Sequence, residues 1–76
     1  MIEFTRLILP DGTGKTLVGE MPIHVGDKIV RHTIPEWPSL NGWVVSRIET
    51  GYGGRCDHRG VWAGGDTLHV FLNLPA

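Results

Sequence analysis

The chain has 76 residues, a formal net charge of -1 and a hydrophobic fraction of 41%. A chain near this size buries only about 60% of the surface its unfolded form exposes, so there is material for one core and none for a second. The composition excludes the disordered and membrane-spanning classes, and the charge gives no global attraction for nucleic acid or an anionic membrane.

From Ile2 to Leu9 the apolar positions alternate and then change phase near Arg6, which predicts a first strand that is bulged or buried on both sides. Pro10-Asp11-Gly12-Thr13-Gly14 is a turn, because proline presets φ, Asp forms local turn bonds and the glycines accept positive φ. Lys15 to Met21 follows as a short second strand, weakened by Gly19 and ended by Pro22. Residues 23–34 hold the turn Val25-Gly26-Asp27 and then Lys28-Ile29-Val30, a third strand that brings the chain back to the sheet. Pro35 and Pro38 bracket Trp37 in an irregular loop.

The organising strand runs from Trp43 to Thr50, rich in aromatic and β-branched residues. Simple alternation places Val44, Ser46 and Ile48 on one face and Trp43, Val45, Arg47 and Glu49 on the other. Residues 51–60 contain four glycines and read as a flexible loop carrying Tyr52, Arg55, Cys56, Asp57, His58 and Arg59. A turn is expected at Gly64-Gly65-Asp66. The last run, Thr67 to Leu74, has the clearest period-2 pattern: Leu68, Val70, Leu72 and Leu74 inward, with Thr67, His69, Phe71 and Asn73 outward.

Eleven glycines and five prolines leave little room for helix, since each costs helical stability relative to alanine. The expectation is a single all-β domain over residues 1–76, with little or no helix: an antiparallel meander of about five strands curled into a partly open SH3-like barrel. Its free edges make a homo-oligomer a natural alternative. The N-terminus shows no basic region followed by a long apolar run, no stretch approaches the length needed to span a bilayer, and Cys56 has no disulfide partner. A reduced, cytoplasmic protein without membrane contact is therefore expected.

No cofactor or catalytic motif stands out. Gly12-Thr13-Gly14-Lys15-Thr16 ends like a phosphate-binding loop, but Leu9 occupies the position of the required first glycine, and a strand follows where the mechanism needs a helix. Cys56-Asp57-His58 could supply metal ligands, yet a structural zinc site wants four and there is no second cysteine. A Cys56-His58 nucleophile needs a third group to orient it and a pocket that a glycine-rich loop on so small a domain hardly offers, so a Cys-dependent enzyme or metal-binding protein stands a distant third and no catalytic residue is assigned. His69 and Phe71, with Trp43 and Val45, could form an outer apolar patch for self-association.

The remaining signal is aromatic and arginine residues beside turns, the composition that dominates protein interfaces. The sequence thus points to a non-catalytic protein-binding or accessory module using Trp37, Tyr52, Arg55, Arg59 and Trp62. The alternative is nucleic-acid binding, with Arg47, Arg55 and Arg59 on phosphates and Tyr52 or Trp62 stacking on bases. A bland reading competes with both, in which Trp37 and Trp62 plug the ends of a barrel and the arginines are merely solvated.

Overall fold

The structure, a computed structural model, describes residues 1–29 and 42–74. Among the described residues four strands form one sheet: β1 (Phe4–Ile8), β2 (Gly14–Val18), β3 (Val44–Cys56) and β4 (Trp62–Asn73), in the order β2-β1-β4-β3. The all-β class holds, and there is no helix among the described residues. The sheet is mixed, because β1 lies parallel to β4 while both hairpins are antiparallel. That corrects the expected antiparallel meander: two hairpins dock side by side through their inner strands, which run parallel. A parallel contact needs a crossover connection of a dozen or more residues, and the long segment between Val18 and Val44 provides one. Among the described residues β2 and β3 are the edges of an open sheet, not neighbours in a closed barrel.

Leu7 of β1 and Val70 of β4 are direct partners and both are completely buried. Around them Ile23, Ile29, Val45, Leu68 and Leu72 complete the core, and Met21, Trp43 and Ile48 pack against it. β1 pairs continuously from Phe4 to Ile8, so its irregular apolar pattern reflects burial on both faces and not a bulge. The bulge lies instead at Ser46, where the β3 register slips between Val45 and Arg47. One extra residue on one strand reverses its alternation, so Val45 and Ile48 both reach the core. The Ser46 hydroxyl donates to the Phe71 carbonyl at 3.0 Å. This overturns the simple face assignment for 43–49, and with it the outer patch of Trp43, Val45 and Phe71.

The β1–β2 connection is as the sequence predicts. Leu9 N–H donates to Thr13 O at 2.8 Å, Gly12 N–H donates to Leu9 O at 2.9 Å, and Gly12 has φ 89. This is a three-residue hairpin loop closed by a glycine in the left-handed region. Strand β2 ends earlier than expected, at Gly19 with φ 94.

The expected third strand over 23–34 is reduced, in its described part, to a short ladder. Val45 N–H donates to Asp27 O at 2.9 Å, Ile29 N–H donates to Trp43 O at 2.7 Å, and Lys28 bridges to Val44. The remainder of that strand and the Trp37 loop fall outside the described residues.

Where β2 stops, a buried side chain takes over the pairing. The Thr5 hydroxyl donates to Gly19 O at 2.7 Å and accepts from Met21 N–H at 3.1 Å, with Thr5 itself fully buried. Thr5→Val keeps the shape and strips both partners of their bond, which costs about 1–3 kcal/mol when the orphaned groups stay buried. Urea unfolding checks this; a stability within about 0.5 kcal/mol of wild type, the usual scale of a surface change, contradicts the role.

Candidate functional site

β1 pairs with β4 from Thr67 to Phe71, and just before it Glu3 N–H donates to Asp66 O at 2.8 Å. The β3–β4 hairpin continues past the sheet as a two-stranded ribbon paired from Gly51↔Thr67 out to Cys56↔Trp62. Residues 51–56, expected to be a loop, and Gly64-Gly65-Asp66, expected to be a turn, are therefore strand. Backbone ladder bonds need no side chain, and the glycines face one another as Gly53↔Gly65 and Gly54↔Gly64. Propensity alone gives no sign of this, because glycine is depleted in strands.

The true turn is Asp57 to Val61. Asp57 N–H donates to Val61 O at 3.0 Å, Gly60 N–H donates to Asp57 O at 3.0 Å, and Gly60 has φ 81, the geometry of the β1–β2 loop repeated. The Asp57 carboxylate accepts from the backbone N–H of Arg59 at 2.8 Å and of Val61 at 3.0 Å, and pairs with the Arg59 guanidinium at 3.4 Å. Of the Cys56-Asp57-His58 triplet, Asp57 is thus a turn-building residue. Among the described residues no three His, Cys, Asp or Glu side chains gather as a metal-holding group.

Alternation and register put Tyr52, Gly54, Cys56, Trp62, Gly64 and Asp66 on one face of the ribbon, and Gly51, Gly53, Arg55, Ala63 and Gly65 on the other. Tyr52 and Trp62 remain 73% and 55% exposed, so neither is a core plug. They converge on Gly64. A Cβ built there would overlap the Tyr52 phenol oxygen and lie 2.9 Å from Trp62 Nε1. The two rings thus roof a glycine, turning their polar edges toward the backbone.

The five residues singled out from the sequence are therefore separated. Tyr52 and Trp62 come together, Arg55 takes the opposite face, Arg59 is tied to Asp57 in the turn, and Trp37 lies outside the described residues. Asp66, directly opposite Tyr52 on the aromatic face, was missed; Gly64-Gly65-Asp66 resembles a turn, which concealed its place in a strand.

A second feature was also missed. An open groove of about 490 Å³ lies beside the Ser46 bulge, walled by Ile8, Leu9, Pro10, Arg47, Phe71 and Leu72. The Arg47 guanidinium sits 4.0 Å from the centre of the Phe71 ring, and its Nε lies 3.2 Å from Glu49. Its charge is already engaged within the chain. The only sequence hint was a polar Ser46 interrupting an apolar run. The resemblance to a phosphate-binding loop dissolves, since Gly14, Lys15 and Thr16 belong to β2. No protein-family model matches the chain, and comparison with curated proteins and with solved structures finds no match either.

Two predictions follow from the ribbon. Gly64→Ala adds a methyl where the rings converge, so the Trp62 indole N–H resonance shifts while the Val45 and Val70 amides stay in place; an unmoved indole resonance contradicts the roof. The N–H of Val61, followed by the N–H and guanidinium of Arg59 and the nearby Arg55, holds the Asp57 carboxyl below its ordinary value of 3.8. A depressed carboxyl stabilises the turn above its unfolded value, and that contribution is lost as pH falls through the lower folded value. In an NMR titration the Asp57 carboxyl midpoint therefore lies below 3.8, with the Val61 and Arg59 amides following it. A midpoint at or above that value contradicts the turn geometry.

Proposed function

We propose that the chain is a non-catalytic protein-binding module whose contact surface is the Tyr52/Trp62 face of the β3–β4 ribbon. One observation carries the reading: two large aromatic side chains stay mostly in solvent on the same face, anchored over a glycine. Exposed aromatics normally mark association, because their burial against a partner releases more free energy than that of other surface residues. Anchoring over Gly64 also reduces the freedom each ring loses on binding. The reading rests on the hairpin and does not depend on SH3-like closure of the sheet. Its proposed setting is the cytoplasm, where an exposed thiol such as Cys56 stays reduced.

Nucleic-acid binding is the weaker reading. Stacking platforms set cations beside the rings to hold the phosphates, whereas here Arg55 faces away, Arg59 is paired with Asp57, and the charged side chain beside Tyr52 is the acidic Asp66.

The test compares the wild-type chain with the double variant Tyr52→Ser/Trp62→Ser, both immobilised and exposed to extract from source cells. Loss of an interface anchor costs about 2 kcal/mol, roughly thirtyfold in affinity, so proteins retained by the wild type are depleted from the variant at matched thermal midpoints. Equal retention by both, or retention of nucleic acid alone, contradicts the proposal.

A further inference from the structure

We propose, building on the protein-binding reading, that the Tyr52/Trp62 face receives a cationic side chain, arginine above all, from an extended basic segment of the partner. The chain already contains a filled version of such a site. On the opposite face of the same hairpin Arg47 stacks 4.0 Å from the centre of the Phe71 ring, with the Glu49 carboxylate 3.2 Å from its Nε. Arginine, aromatic ring and carboxylate make one unit there. On the ribbon's aromatic face the ring and carboxylate components recur, as Tyr52, Trp62 and Asp66, with no arginine beside them among the described residues.

Three features make that face fit a cation. Tyr52 and Trp62 stay 73% and 55% exposed on one face, with Tyr52 Oη and Trp62 Nε1 beside Gly64, and the negative face of an aromatic ring attracts a cation. Asp66 lies directly across from Tyr52 with its side chain 72% exposed, and its contact in the structure is the N-terminal ammonium at 3.9 Å, itself almost fully solvated. A guanidinium can displace so loose a contact, because it pairs with a carboxylate in a planar, bidentate fashion while stacking on a ring. Finally, among the described residues the register gives this face no basic residue: Arg55 belongs to the other face.

The experiment uses the full chain, labelled with nitrogen-15, and blocked pentapeptides in which glycine alternates with arginine, lysine, glutamate or serine. The arginine peptide should shift the Trp62 indole N–H and the Tyr52, Gly64 and Asp66 amides saturably in the millimolar range, with lysine weaker and glutamate and serine silent. Asp66→Asn, a near-isosteric change at an exposed site, should weaken the arginine peptide about threefold, the scale of one surface ion pair. Trp62→Leu should remove most of the response. Equal responses to the glutamate or serine peptide, or an unchanged affinity in Asp66→Asn, overturn the cation proposal while leaving the aromatic face a protein-binding surface. No response to any peptide also overturns it. A response to a single-stranded oligonucleotide in place of the peptides overturns both readings together.

Discussion

The register of β3 against β4 decides what every residue of the outer ribbon faces. Side chains alternate with period two, so a slip of one residue would send the whole set to the opposite side. The register is held at the inner end of the hairpin, where Val45 opposes Leu72 and Ile48 opposes Val70 within the core. The Ser46 bulge makes both pairings possible at once and sends Arg47 to the other face, over Phe71. Tyr52 and Trp62 share a face because the distant core has already fixed the phase.

Beyond the core the same pairing must survive with few side chains to support it. Glycine lowers strand stability, and the ribbon has Gly53↔Gly65 and Gly54↔Gly64 at its centre. Compensation comes from specific neighbours. Tyr52 and Trp62 cover Gly64, the fully buried Thr67 lies against Gly53, and Asp57 gathers the turn amides. Covering glycine with a neighbouring aromatic is a known means of supporting a weak strand position. The aromatics therefore serve the ribbon's own stability as well as the contact surface proposed for them.

Much of the framework was legible in the sequence. Glycine and proline content pointed to the all-β class, Pro10-Asp11-Gly12 to its turn, and the alternation of Leu68, Val70 and Leu72 to the inward face of the last strand. Ile29 does return to the core. What failed was non-local. No local pattern distinguishes glycines that form a loop from glycines paired with other glycines, so residues 51–56 read as flexible. Nor does strand propensity reveal which hairpins dock in parallel, or that Ser46 is the extra residue of a bulge. Tyr52 and Trp62 were identifiable by residue type, but only pairing across the hairpin places them together, joins Asp66 to them and removes Arg55.

The account stands on the outer hairpin being a paired ribbon, and cross-strand proton contacts measured by NMR test that most directly. The structure predicts contacts linking Gly53 with Gly65 and Gly54 with Gly64, together with contacts from both the Tyr52 and Trp62 rings to the Gly64 α-protons. Random-coil shifts through residues 51–60 with none of those contacts would return the segment to a loop, and the aromatic face would not exist.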